Sequence, residues 1–154
     1  RRVLFRSKPP MVGLKEAYKS YWLKAFCWRG RSTRAEFWWP TLVNLIILTL
    51  LGTALTLTQL VLVLDLYYLF LIIILFPTFS IIARRSHDIG IKAYFSLFCI
   101  AFALIRYAPV ILRIGISNFS GLLLVGLGLV VRICYITIGL LPSQNFPNKY
   151  GDPR

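Results

Sequence analysis

Two short charged stretches hold the residue types in this chain that could do chemistry. They are "GRSTRAEFW" (30–38) and "ARRSHDIG" (83–90), each beside a long apolar run. The candidate side chains are Arg31, Arg34, Glu36, Arg84, Arg85, His87 and Asp88. Guanidinium forks bind carboxylates or phosphates bidentately, and a histidine beside an acid has the composition of a general base with its orienting carboxylate. Three interpretations follow: an ion-pair latch, an anion-binding site and a catalytic centre.

The first two interpretations differ in what satisfies the arginines. In the latch, Glu36 pairs with Arg84 or Arg85, and Asp88 pairs with Arg31 or Arg34. In the binding site, up to four arginines hold a phosphate and the one histidine acts as a pH-sensitive donor. The latch is our main expectation, because charges beside spanning helices are ordinarily anchors.

Catalysis has the weakest support in the sequence. His87 and Asp88 are neighbours, and neighbours on a helix point about 100° apart, so they do not easily bond to each other. Ser86 and Ser143 lack the glycine-rich surroundings of a nucleophile elbow. A lone histidine and three widely spaced cysteines give no metal spacing. We therefore expect no enzyme activity, no metal and no cofactor.

The overall composition predicts a membrane protein. The 154 residues are 58% hydrophobic and only 15% charged, with a mean hydropathy of +0.72, which is far from soluble composition. The formal charge is +13, but the cations cluster beside apolar runs, as juxtamembrane segments do. The pattern argues against nucleic acid and favours a bilayer with anionic headgroups as the partner.

Four apolar runs are long enough to cross the hydrocarbon core. The predicted spans are 37–57, 60–83, 93–112 and 119–141. A two-residue turn joins the first two spans, so they must be antiparallel neighbours. Pro40 falls in the first turn of its span, where a missing N–H costs little. Arg106 and Pro109 interrupt the end of the third run, and glycines in the fourth permit close helix approach.

Asp65 and Arg132 are the charged residues inside the predicted spans that need an explanation, because Arg106 is expected to reach the far interface. A charge within a span is a functional candidate by default, so a small transporter or channel subunit is the alternative function. Asp65 lies near the outer end of span two, and pairing with Arg106 or Arg113 is its quieter interpretation.

The segment 11–36 precedes the spans and is predicted to contain an amphipathic helix over 12–28. Apolar residues recur there at three- and four-residue spacing, and lysines fall on the other side of the helix. The helix suits the membrane surface, and docking on the protein's own loops is equally compatible. Residues 1–10 have no initial methionine. We interpret them as a non-native assembly remnant or a basic tail, with Met11 as a candidate start.

The distribution of basic residues predicts the orientation. One side receives Lys15, Lys19, Lys24, Arg29, Arg31, Arg34, Arg84, Arg85, Lys92, Lys149 and Arg154, and the other receives Arg106 and Arg113. By the positive-inside rule both termini are cytoplasmic, including the tail 142–154.

Three motifs, in order, carry a resemblance over nearly all of the chain after Met11. They are Gly30-Arg31-x-x-Arg34-x-Glu36-Phe37-Trp38, Arg84-Arg85-x-His87-Asp88-x-Gly90 and Asn148-Lys149-Tyr150-Gly151-x-Pro153. The chain resembles the "domain of unknown function 805" family of small bacterial inner-membrane proteins. The resemblance implies a multi-span plasma-membrane protein and brings no settled activity with it.

The expectation is thus an all-α integral membrane protein with four transmembrane helices, an N-terminal interfacial helix and both termini in the cytoplasm. Its expected role is a non-enzymatic inner-membrane component. The charged cluster latches the helices and binds anionic lipid headgroups or a partner, which is another membrane protein or a second copy of the chain. A membrane enzyme that acts on a lipid or phosphorylated substrate through His87 is the third choice.

Overall fold

The computed structural model describes residues 12–92, 94, 101, 118–144, 146–148 and 150, and only the backbone of 118–125. The chain is all-helical over this part, with four helices and no strand among the described residues. The helices are α1 (Leu14–Leu23), α2 (Arg34–Thr58), α3 (Val61–Ile89) and α4 (Asn118–Leu140). The predicted third span, 93–112, lies outside the described residues except for Tyr94 and Ala101. Arg106 in that span and Arg113 after it lie outside them as well.

A capping box starts α2 three residues before the predicted span. Thr33 Oγ1 accepts a hydrogen bond from Glu36 N at 3.2 Å, and Glu36 Oε2 accepts one from Thr33 N at 3.1 Å. The two bonds satisfy backbone donors that a helix N-terminus otherwise leaves open. Pro40 consequently lies inside the helix, so its placement in a first turn was wrong. The apolar pattern could not show that the cap lies upstream of the apolar residues.

Helix α3 continues well beyond the predicted span and includes the charged stretch. It ends at Gly90, whose φ of +88° is left-handed and favours glycine. Gly90 N donates to His87 O at 3.1 Å and Ile91 N donates to Ser86 O at 2.8 Å, which is the Schellman pattern. The four candidate residues Arg84, Arg85, His87 and Asp88 are therefore helical and rigidly placed.

Two helices, α2 and α3, are long and apolar enough to cross a membrane by length and composition. Gln59 joins them in a left-handed conformation with φ of +53°, so the expected short connection between neighbouring helices is confirmed. The backbone of α4 matches the predicted fourth run to within one residue at each end.

The outward surfaces of α2 and α3 are apolar along most of their length. Exposed side chains include Leu45, Ile46, Leu50, Leu57, Leu62, Leu66, Leu69 and Ile72. The α2 threonines bond within their own helix: Thr49 Oγ1 donates to Leu45 O at 2.8 Å and Thr53 Oγ1 donates to Thr49 O at 2.7 Å. Such a surface exposes few unmet polar groups, and this suits hydrocarbon.

Helix α1 packs against both α2 and α3 and is shorter than the predicted amphipathic segment, since a turn replaces it at 24–26. It buries Ala17 and Tyr21. Ser80 Oγ in α3 donates to Lys24 O and Cys27 O, both at 2.6 Å, and so holds the chain just after α1. The helix thus docks on the helical hairpin itself, which the loop-docking interpretation did not anticipate, and its placement at the membrane surface stays a prediction.

The buried core lies at one end of the bundle, where α2 begins and α3 and α4 end. Tyr21, Phe37, Ile81 and Ile82 form its centre. From α4, the ring of Tyr135 packs against Phe37 in a tilted arrangement, with 4.7 Å between ring centroids. This core holds the start of α2 and the ends of α3 and α4 in fixed positions, and the charged cluster adjoins it.

Candidate functional site

Asp88 is the centre of the charged cluster, and both of its carboxylate oxygens bind guanidinium groups. Oδ1 accepts from Arg31 Nε at 2.8 Å, and Oδ2 accepts from Arg85 Nη1. The three side chains are nearly inaccessible, at 2%, 0% and 0% exposure for Arg31, Arg85 and Asp88. Arg31 is one of the two partners expected for Asp88. The second ion pair joins residues three apart on α3 and was not expected.

Further donors of the two guanidiniums bind the backbone at the end of α4 and just after it. Arg31 donates to Phe146 O at 3.1 Å and also to Gln144 O. Arg85 donates to Ile138 O at 3.2 Å and also to Leu141 O. We call this arrangement the arginine clasp: Arg31, Arg85 and Asp88 with the carbonyls of Ile138, Leu141, Gln144 and Phe146. It joins the loop before α2, the end of α3 and the end of α4.

Arg85 Nη1, which also donates to Asp88 Oδ2, reaches the loop before α2 and the tail. Arg85 Nη1 donates to Ser32 O at 3.3 Å and to Ser143 Oγ at 3.0 Å. Gln144 N donates to Asp88 O at 3.0 Å. Because buried charges need both a counter-charge and filled hydrogen-bond positions, these contacts are what makes burial of two arginines tolerable.

His87 lies at the edge of the clasp and is 6% exposed. Its Nδ1 is 3.3 Å from Gly30 O, and since a carbonyl only accepts, we assign the proton to Nδ1. The ring stacks on Tyr150 with 3.7 Å between centroids and an interplanar angle of 9°. Asn148 Nδ2 donates to His87 O at 3.0 Å. The histidine therefore packs the tail against α3.

The remaining cluster residues have different environments. Glu36 is buried and its Oε2 accepts from Ser32 Oγ at 3.0 Å in addition to its capping bond. The expected pairing of Glu36 with Arg84 or Arg85 stays a prediction. Arg84 is buried and donates from Nε to Ser80 O at 3.4 Å. Arg34 is exposed and donates to Leu141 O at 3.2 Å.

The geometry favours the latch over an anion site. An incoming phosphate would have to displace Asp88 and several backbone carbonyls from Arg31 and Arg85, because those groups already occupy the forks. It would also have to enter a buried position. The three residues nevertheless come from two distant stretches of sequence, and the structure brings both together with the start of the tail.

A catalytic dyad is not formed by His87 and Asp88. The Asp88 carboxylate faces the two arginines, and the imidazole Nδ1 faces Gly30 O. Among the described residues no group of three or more His, Cys, Asp or Glu side chains is placed to hold a metal ion.

Asp65 and Arg132 lie far from the clasp along their helices, and both are exposed. Asp65 is in the second turn of α3, at the end where α2 and α3 connect. Arg132 lies near the middle of α4. The structure brings neither residue to the cluster, and both possible partners of Asp65 lie outside the described residues.

A hydroxyl cluster between α1, α2 and α3 was missed by sequence reasoning. Tyr21 OH contacts Thr78 Oγ1 at 2.8 Å and donates to Ile74 O at 3.2 Å, while Asn44 Nδ2 donates to Tyr21 OH at 3.0 Å. Burial raises the pKa of Tyr21 to about 12, against the smaller opposing effect of its hydrogen bonds. The signal available was Asn44, a buried amide in an apolar run, which needs a partner.

Next to this cluster is a cavity of about 210 Å³, lined by Tyr21, Thr41, Asn44, Leu45, Leu48, Ile74, Thr78 and Tyr135. Thr41 Oγ1 and Tyr135 OH hydrogen-bond to each other at 2.6 Å across one wall. The lining carries no charged side chain.

A family model matches residues 25–152, nearly the whole chain, and its description is "Protein of unknown function (DUF805)". The chain belongs to the DUF805 family. The resemblance seen in the three motifs is thereby confirmed. No curated protein and no solved structure matches the chain. The clasp residues Arg31, Arg85 and Asp88 all lie within the matched range, so the DUF805 region includes every element that the clasp joins.

Proposed function

We propose that this DUF805 protein is a non-enzymatic component of the bacterial inner membrane. It has four spans and cytoplasmic termini, and the arginine clasp locks the cytoplasmic end of its bundle. The observation that carries the proposal is the pairing of one buried carboxylate with two guanidiniums, whose remaining donors hold the tail. Two apolar helices of spanning length and the one-sided distribution of lysine and arginine support the membrane placement.

The clasp supports a static role better than turnover. Removing one partner of a buried ion pair costs about 3–5 kcal/mol. Opening the clasp separates Asp88 from both arginines and therefore carries a cost of this order. A site that binds and releases substrate through the same arginines would incur this cost in every cycle. The anionic partners of the protein are therefore assigned to its exposed cations, and the buried arginines are assigned to holding the fold.

The proposal is tested by replacing a clasp arginine with lysine. Arg85→Lys keeps the charge but loses the planar fork that reaches Ile138 O, Ser32 O and Asp88 together. Each buried carbonyl left unmet costs about 1–3 kcal/mol. Protease cleavage within 141–150 should accelerate by about 10- to 100-fold, since cleavage follows the population of the open tail. The matched control is Arg34→Lys, which alters an exposed arginine with one bond to the same segment.

Two results would contradict the proposal. Equal cleavage in Arg85→Lys and Arg34→Lys would mean that the clasp does not hold the tail. Native mass spectrometry that finds an anion on the wild type and none on Arg85→Lys would make the cluster a ligand site. The topology is checked separately: tags at both termini should react only from the cytoplasmic side, and a cysteine placed at Gln59 only from the other.

A further inference from the structure

Helix α1 and the segment after it carry exposed basic and aromatic side chains. Lys15 and Lys19 are exposed, and each is two residues from the buried Ala17, about 160° around the helix from it at 100° per residue. Phe26 and Trp28 are 72% and 52% exposed, and Arg29 is exposed as well. We call Lys15, Lys19, Phe26, Trp28 and Arg29 the basic-aromatic surface.

Its position along α3 places this surface at the boundary of the hydrocarbon layer. Trp28 lies beside Phe79 with 6.3 Å between ring centroids, and Phe26 lies beside Phe76 at 5.5 Å. From Val61, where α3 begins, to Phe79 is about 27 Å at 1.5 Å per residue. That length is about one hydrocarbon thickness, so the ring pairs lie where aromatic residues concentrate at a membrane interface.

Helix α1 extends slightly deeper than these rings. Tyr18 OH donates to Asn44 Oδ1 at 3.4 Å, and Tyr21 contacts Thr78. From Phe79 to Ile74, the furthest α3 partner of Tyr21, is about 7.5 Å along the helix. Interfacial helices lie about 5–10 Å into the boundary between headgroups and acyl chains. Lysines at that depth extend their stems along apolar surface and place the ammonium group among headgroups.

We propose that the basic-aromatic surface binds the phosphodiester headgroups of anionic phospholipids in the leaflet nearest the arginine clasp. The three cations supply complementary charge, and the two rings set their depth. Glu16 is the one exposed acid on the same helix, so the net charge of the surface remains positive. The inference rests on the proposed membrane placement and adds the partner and the residues that select it.

The test is native mass spectrometry of the full chain in neutral detergent, titrated with phosphatidylglycerol or with phosphatidylcholine of the same acyl chains. Each basic residue near an anionic surface contributes about fivefold to binding, from about 1 kcal/mol each. The variant Lys15→Gln, Lys19→Gln, Arg29→Gln should therefore lose up to about 100-fold of its preference for phosphatidylglycerol. The single changes Lys19→Gln and Lys92→Gln form a matched pair, because Lys92 is an exposed lysine outside the surface.

A preference that falls in the triple variant and in Lys19→Gln, and survives in Lys92→Gln, supports the inference. No preference in the wild type, or an equal loss in both single variants, overturns it. Protection of the tail from protease confirms that each variant is folded. Flotation with vesicles of both lipids separates the two proposals: a chain that floats with both and prefers neither loses only the headgroup inference. A chain that floats with neither loses the membrane placement as well.

Discussion

The aspartates at the two ends of α3 give the sharpest test of the arginine clasp. Asp88 is fully buried between Arg31 and Arg85, whereas Asp65 is exposed at the opposite end of the same helix. Asp88→Asn keeps the shape of the side chain and removes its charge, leaving two buried guanidiniums without a counter-charge. Removing one partner of a buried ion pair costs about 3–5 kcal/mol. Asp65→Asn should stay within about 1 kcal/mol, as exposed charges do.

Thermal unfolding in detergent, followed by tryptophan fluorescence, measures the difference. At about 2–4 °C per kcal/mol for a chain of this size, Asp88→Asn should lower Tm by about 6–20 °C. Adding Arg31→Gln to Asp88→Asn should cost less than the sum of the two single changes, because the pair shares one interaction. If Asp88→Asn and Asp65→Asn lower Tm equally, the reasoning about the buried carboxylate is refuted.

Two further predictions concern the packing around the clasp. A Cβ at Gly139 would lie 2.7 Å from the buried ring of Phe37, so Gly139→Ala should lower the unfolding free energy by about 1–3 kcal/mol. Gly126→Ala is the control: a Cβ there would have nothing within 4 Å, so this change should cost nothing in the same melt. The pKa of Tyr21 is raised to about 12, so the folded state favours the neutral phenol. The resulting stabilisation of the folded state is complete below pH 10 and is lost as pH rises from 10 to 12. The unfolding free energy should fall by about 3 kcal/mol for a shift of about two pKa units, and Tyr21→Phe should not show this fall. Tyrosinate absorbance that shows no wild-type step near pH 12 would contradict the assignment.

Local sequence patterns predicted most of the helices. The apolar runs at 37–57 and 60–83 exceed any soluble strand in length, and a two-residue turn leaves them no arrangement except an antiparallel pair. The boundaries were less predictable. Thr33 and Glu36 begin α2 through a cap that is polar, and Gly90 rather than the last apolar residue ends α3. Hydropathy indicates which residues avoid water, whereas a helix cap depends on hydrogen bonding. Hydropathy therefore does not locate the ends of a helix.

The candidate site was predictable in composition and only partly in geometry. Positive and negative side chains at the ends of paired helices are expected to meet, and this predicted Arg31 or Arg34 as the partner of Asp88; the structure selects Arg31. The role of the tail could not be anticipated, since backbone carbonyls are present at every residue and carry no sequence signal. The docking of α1 was hidden for a related reason: Tyr18 and Tyr21 suit a membrane interface and a polar pocket equally well.

The sequence by itself determined the class of fold, with two helices long and apolar enough to cross a membrane. A chain of this hydropathy satisfies its backbone in a bilayer only through helices, and its charges mark the helix ends. Tertiary structure alone decided what the arginines do. A guanidinium in water, on a phosphate or among carbonyls is the same residue in the sequence, and only the approach of the end of α4 and the segment after it makes Arg31 and Arg85 part of a buried clasp.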